Sequence, residues 1–385
     1  SGLAFIIVIL YVIIVLKDKD SFNVYTSFAM HFVLYSLLIV LNLLFNKGSS
    51  IGMEVYRLLI NFLPAFLAFE LLLLNDRKMI KNIVIIAITM FVFTAITSYF
   101  YLLTDSMAAR IIATIGNSQD EYLILLNKKN VGGFSFVYSI VLFFPMIVCL
   151  YRQKAINKFM FVFITVVFSL YILEAQYAIS TILFALSFVL LFVKKNFSMK
   201  KAFATVIVII IVFTIFRNFI ADFFYYLSRV TGSFVLGGKF DFIADSLLGK
   251  HTQESNGLRF ELYSKSIMNF IKYPIEGGWL HRAGVGGHSV FLDYIGNYGI
   301  LGIIALYSMY KFLYRKFYLP FKNEVYYGFM VWTFWVNVVY SFINTNLFFV
   351  STFLLPPLIG YLLQEGEYVL VKSKSLIRKE GELLN

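Results

Sequence analysis

The chain has 385 residues, 60% of them hydrophobic and only 14% charged, with a mean hydropathy of +0.81. No soluble domain of this length hides so much apolar surface, so the composition excludes an ordinary soluble enzyme and points to a protein solvated by a bilayer. The net charge of +12 does not indicate nucleic acid, because the cations mostly sit in short loops beside apolar segments rather than on one basic face interleaved with aromatics.

The apolar runs are continuous rather than alternating, which favours membrane helices over the strands of a barrel. In chain order they fall at about 3–16, 24–45, 53–74, 80–103, 131–151, 159–174, 177–193, 202–221, 289–310, 325–343 and 347–363, eleven spans in all. The run 159–193 is too long for one crossing and is split at Glu174-Ala175-Gln176 as a tight hairpin. The expected organisation is eight spans over 1–221 with an outer loop at 104–130, a large outer loop at 222–288, C-terminal spans over 289–364 and a tail at 365–385.

Orientation follows from Lys and Arg. Loops 75–82, 152–158, 194–201 and 311–324 and the tail segment 371–380 are all basic and fall on one side, which is therefore predicted to be the cytoplasm. Eleven spans with a cytoplasmic C-terminus put Ser1 outside. Because the chain opens abruptly on an apolar run, twelve spans with both ends inside is the expected native layout.

The loop 222–288 is the one stretch large enough for an extramembrane subdomain, and its apolar periodicity (LRFELYSKSIMNFIKYP) predicts a helix on or near the membrane surface. It carries Arg229, Lys239, Lys250, His251, Arg259, Lys265, Lys272, His281, Arg282 and His288 against fewer acids. Cations on an outer loop run against the positive-inside trend, and an anionic ligand such as a diphosphate would account for them. A solvated, charge-balanced face is the alternative.

Polar residues recur at helical spacing in three otherwise apolar segments: Glu54, Arg57 and Asn61; Ser289, Asp293 and Asn297; Asn337, Ser341 and Asn344. All three stripes end on the predicted outer side, which suggests a polar cavity open outward; interhelical hydrogen bonding that serves assembly alone is the competing reading. Glu174 at the hairpin is a second candidate acid/base group. Cys149 lies in an apolar run and reads as a core residue, and the four histidines form no cluster with it, so no metal site is predicted. Neither a Walker motif nor a dinucleotide fingerprint is present, so no nucleotide cofactor is expected.

Arg259, Tyr273-Pro274, Gly277-Gly278, the run Gly287-His288-Ser289 and the run from Gly296 to Gly302 (GNYGILG) together resemble the O-antigen polymerase and ligase superfamily. Arg110 followed by Asn127 to Asn130 is similar to that family's Arg…Asn-x-Asn element, and the resemblance covers about residues 105–305. The resemblance implies an all-α, polytopic, GT-C-like glycosyltransferase of a bacterial cytoplasmic membrane, acting at the outer face on undecaprenyl-diphosphate-linked oligosaccharides. Where the family often carries Ser-Arg after the short outer hairpin, this chain has Ala175-Gln176, so one expected diphosphate cation is replaced by Gln176.

On that resemblance, His288 takes the proton of the attacking acceptor hydroxyl, or alternatively binds diphosphate as a cation. Arg259 neutralises the departing lipid diphosphate. Arg57, Arg110, Asn130, Gln176, Arg229, Arg282 and Asp293 are the expected substrate-binding residues, Asp293 by orienting His288 or by holding sugar hydroxyls. The implied reaction is metal-independent inverting polymerisation of repeat units into O-antigen or capsular polysaccharide. Its partners are lipid-linked donor and acceptor, membrane lipid and a chain-length regulator. A ligase handing finished polymer to another acceptor is the nearest alternative. A lipid-linked oligosaccharide flippase would place its charges at the bilayer midplane and show inverted repeats. A scaffold or receptor would leave His288 and the stripes without a role.

Overall fold

The computed structural model describes residues 35–41, 51–105, 108, 131–175, 177–191, 215–230, 234–248, 253–281, 283–344 and 350–364. Among them every regular element is helical: α1 (Ile51–Leu74), α2 (Arg77–Thr104), α3 (Phe134–Arg152), α4 (Lys158–Ala175), α5 (Ala178–Ser187), α6 (Arg217–Val230), α7 (Phe234–Leu248), α8 (Gln253–Lys272), α9 (Val290–Phe317), α10 (Tyr327–Ile343) and α11 (Leu355–Leu363). Four of these, α2, α3, α4 and α9, are long and apolar enough to cross a membrane. The chain divides into two compact units, one comprising Ser1–Ile60 with Glu261–Tyr314 and the other Asn61–Phe260 with Arg315–Asn385.

In the second unit α3 is the central helix. Its sequence is apolar on every side, and almost every residue from Val137 to Leu150 is buried, as expected of a helix surrounded by others. It packs against α4, α5, α10 and α11. Pro145 removes a donor from the middle of α3; one residue beyond the carbonyl it frees, the Leu142 carbonyl accepts a hydrogen bond from Thr333 Oγ1 of α10 at 3.1 Å. Helices α2 and α4 pack on each other and turn Ile86, Met90 and Phe93, and Phe159, Phe163 and Leu173, outward, which is tolerable where the solvent is hydrocarbon.

The ends of these helices are capped by residues of the basic loops. After α1 the chain reverses through Asn75 at φ 53°, a left-handed conformation that Asn accepts, and Tyr361 donates to Asn75 Oδ1 at 2.7 Å. Arg77 donates to the Leu362 carbonyl at 2.7 Å and to that of Gln364 at 3.2 Å, closing the C-terminus of α11. Arg152 does the same for the 3-10 turn that ends the α5 segment, donating to the Leu190 carbonyl at 3.1 Å. A guanidinium at a helix C-terminus satisfies orphan carbonyls and meets the negative end of the dipole.

Two expectations change here. Glu174, expected to cap a surface hairpin, is buried near the C-terminus of α4, because the hairpin end is packed rather than solvated. Of the expected segment 202–221, residues 202–214 lie outside the described residues, and its end belongs instead to α6, which opens on exposed Arg217 and whose polar and apolar residues separate onto different faces. The loop 222–288 is itself largely helical, taking in most of α6 and all of α7 and α8.

Candidate functional site

The first unit contains His288 and the residues that hold it. Helix α8 supplies Leu262, Ser266 and Asn269, which share one face at i, i+4 and i+7. The chain then runs through a turn at Tyr273–Gly277, a 3-10 turn at Gly278–His281 and the glycine segment 284–287, and enters α9 at Ser289.

Ser266, fully buried, connects both sides of the His288 turn. It accepts a hydrogen bond from the Gly286 N–H at 2.9 Å and donates its own hydroxyl to Asp293 Oδ1 at 2.6 Å. The other Asp293 oxygen accepts from the Ser289 N–H at 2.9 Å. Gly286 and Ser289 flank Gly287-His288, so one continuous network grips the backbone on each side of the histidine. Ser289 also acts as N-cap, its Oγ accepting from Leu292 N–H at 3.0 Å. Upstream, Asn269 Nδ2 donates to the Gly284 carbonyl at 3.0 Å.

The glycines are explained by contact. A Cβ on Gly286 would sit 2.0 Å from the Leu262 carbonyl oxygen, and one on Gly296 would sit 2.4 Å from that of Ser266. The loop and α9 therefore lie directly on the backbone of α8, and side chains there would push them apart. Gly287 adopts φ +78°, turning the chain into His288.

The helix that fills the expected apolar segment 289–310 is kinked at Gly299 (φ 59°, ψ −142°), where Ile300 N–H donates to the Pro274 carbonyl at 2.8 Å. The cause of the kink is the turn at Pro274-Ile275, whose carbonyls approach Gly299 too closely for any side chain.

The imidazole of His288 is exposed and makes no hydrogen bond among the described residues. Both oxygens of Asp293 are committed to Ser266 and Ser289, so this residue holds the histidine's backbone rather than its ring. Asn297, third in that stripe, lends its carbonyl to the packing of Gly277 (φ +78°). The exposed Lys265 lies beside the loop, its ammonium 3.3 Å from where a Gly284 Cβ would stand. A second histidine is held differently: His281 stacks on Tyr273 with ring centroids 3.8 Å apart, and its Nε2 lies 3.1 Å from Glu276 Oε1. That hydrogen bond holds the Glu276 carboxyl below its ordinary value.

The remaining candidates are not brought to this network by the described structure. Arg259 is in α8, seven residues before Ser266, with its side chain outside the described residues; Arg57 in α1 has the same standing. Arg110, Asn130, Gln176 and Arg282 lie outside the described residues, and Arg229 is exposed in the last turn of α6, in the other unit. The stripe Asn337–Ser341 is buried within α10, where Asn337 Nδ2 donates to Thr352 Oγ1 at 2.8 Å and Ser341 bonds to the Asn337 carbonyl. The Asn337 bond links two elements and the Ser341 bond stays within its own helix, whereas Asn344, third in the stripe, is buried with its Nδ2 making no hydrogen bond among the described residues. Ser266 and Asn269 do not stand out in the sequence, because small polar residues on an amphipathic helix carry no mark of their role; their spacing from Leu262 is the only signal.

No family model, curated protein or solved structure matches this chain.

Proposed function

We propose that the protein is a multi-pass glycosyltransferase of a bacterial cytoplasmic membrane that polymerises undecaprenyl-diphosphate-linked oligosaccharide repeat units into O-antigen or capsular polysaccharide at the outer leaflet. The observation that carries this reading is the exposed imidazole of His288, set at the mouth of a helix on a glycine segment pinned on both sides by the Ser266–Asp293 network. A titratable group fixed by its backbone and free at its ring suits proton transfer to a bound substrate.

In this reaction the acceptor hydroxyl oxygen attacks the anomeric carbon of the donor sugar as His288 takes the hydroxyl proton. The bond from that carbon to the diphosphate oxygen breaks with inversion, and lipid diphosphate leaves as an anion. Arg259, with Arg110, Arg229 or Arg282, supplies the compensating charge, and the exposed Lys265 beside Gly284 is a further cation for it. Arg57, Asn130 and Gln176 are assigned to substrate, in a GT-C-like bundle of eleven or twelve spans with the C-terminus in the cytoplasm. A chain-length regulator is the protein partner this activity would take.

The test is a strain lacking the protein, complemented at matched membrane levels with wild type, His288→Ala or Arg259→Ala, its glycan resolved by gel. Wild type restores the polymer ladder, and each variant leaves single repeat units. Normal ladders from both variants would remove this site from the chemistry. Long lipid-linked polymer building up in the deletion strain would identify a ligase, and lipid-linked units stranded on the cytoplasmic leaflet a flippase.

A further inference from the structure

Helix α6 presents an apolar face that its own unit leaves uncovered. Phe216, Phe219, Phe223, Tyr226 and Val230 recur at i, i+3, i+7, i+10 and i+14, and each is between 51% and 72% exposed. The opposite face is already taken by α7: Ala221 is fully buried, Tyr225 donates its hydroxyl to Asp245 Oδ1, and a Cβ on Gly237 would meet the Ser228 carbonyl at 3.1 Å. A third strip, Asn218, Asp222 and Arg229, is polar and exposed along one flank of the apolar one.

We propose that α6 lies in the plane of the membrane surface, its aromatic strip sunk at the boundary between headgroups and acyl chains, with Arg217 and Arg229 holding anionic lipid phosphates. The occupant is phospholipid for four reasons. Fourteen residues carrying Arg217, Asp222 and Arg229 are too short and too charged to span. The helix follows the apolar run 202–214 directly in sequence, so it begins where the chain would leave hydrocarbon. Its face is built of Phe and Tyr, which suit a region that is apolar on one side and wet on the other. Exposed arginines at its two ends match the charge of acidic headgroups. Nothing in this rests on the transferase reading; a surface helix would anchor the outer segment whatever chemistry that segment performs.

Collision accessibility of nitroxide labels on the full-length protein in vesicles of phosphatidylglycerol and phosphatidylethanolamine tests it. Cys149 is fully buried and is replaced by Ala to give a clean background. Single cysteines are placed on the apolar strip at Phe219, Phe223 and Tyr226, and on the polar strip at Asn218, Asp222 and Arg229. The expected result is oxygen accessibility exceeding that of a water-soluble nickel complex on the apolar strip, with the order reversed on the polar strip. The Arg217→Gln/Arg229→Gln pair shifts the apolar labels toward nickel. Apolar labels that nickel reaches as readily as the polar ones would overturn the proposal, because the strip would then face water. Apolar labels closed to both reagents would equally overturn it, because the strip would be covered by protein, a second copy included.

Discussion

Asp293 shows how a residue can serve a site without touching its chemistry. An acid one turn into the helix after His288 suggests an orienting contact on the imidazole, yet its carboxylate is spent on the Ser266 hydroxyl and the Ser289 N–H. It is a positioning residue, and Ser266 is its partner in that role. Ser266→Ala leaves the Gly286 N–H and one Asp293 oxygen without their partner, at a cost of about 1–3 kcal/mol. We expect a lower melting temperature and a weaker polymer ladder, with Ser266→Thr, which keeps the hydroxyl, recovering much of both. Because the substitution carries no charge and touches no ring, the pH profile of polymerisation in membranes stays where wild type has it; a displaced profile would mean that Ser266 reaches the imidazole. The Glu276–His281 pair has a different signature. A carboxyl held below its ordinary pKa adds stability above that ordinary value and loses it as pH falls through the folded one. Glu276→Gln should therefore lower the melting temperature at neutral pH, and thermal scans should show the difference shrinking as pH falls below the ordinary carboxylate range.

Among the elements, the pairing of α8 with α9 depends on glycine at particular places. Gly299 combines a positive φ with a Cβ position 2.5 Å from the Ile275 carbonyl oxygen, and neither can be relieved by moving a flexible side chain. Gly299→Ala should cost about 3 kcal/mol or more. By contrast, Gly238 in α7 has nothing within 4 Å, so Gly238→Ala should be neutral or stabilise by up to about 1 kcal/mol through helix propensity. Thermal unfolding in one detergent compares the two, and equal losses would dismiss the close-approach argument. The long apolar runs make the four span-length helices α2, α3, α4 and α9 legible in the amino-acid sequence alone, since bilayer-length hydrophobicity has few other causes. The kink at Gly299 is not legible there, because the constraint comes from Pro274 and Ile275 some twenty-five residues earlier. The stripe at Asn337, Ser341 and Asn344 shows a related limit: helical spacing of polar residues is the same whether they line water or bond within the protein. Of the candidate site, the motif around His288 can be read from glycine, histidine and spacing, whereas the network through Ser266 cannot.

At the scale of the whole molecule, the basic loops do more than bias insertion. Arg77 in loop 75–82 closes α11 just before the tail, and Arg152 at the start of loop 152–158 closes the α5 segment just before loop 194–201. Each arginine thus joins two chain ends whose Lys and Arg content independently predicts the same side for both, so the helix capping seen in the structure agrees with the sidedness expected from the sequence. The outer segment has the opposite assignment while remaining cationic, which makes sidedness the sharpest test of the architecture. Cysteines replacing the exposed Lys78, Lys158, Lys322 and Lys272 report it, with Cys149 buried and silent as background. In intact cells a membrane-impermeant maleimide should label Lys272→Cys alone, and the other three should react only after the membrane is opened. Labelling of Lys78→Cys, Lys158→Cys or Lys322→Cys from outside would invert the topology and carry His288 to the cytoplasmic face, where a lipid-linked donor at the outer leaflet could not be reached.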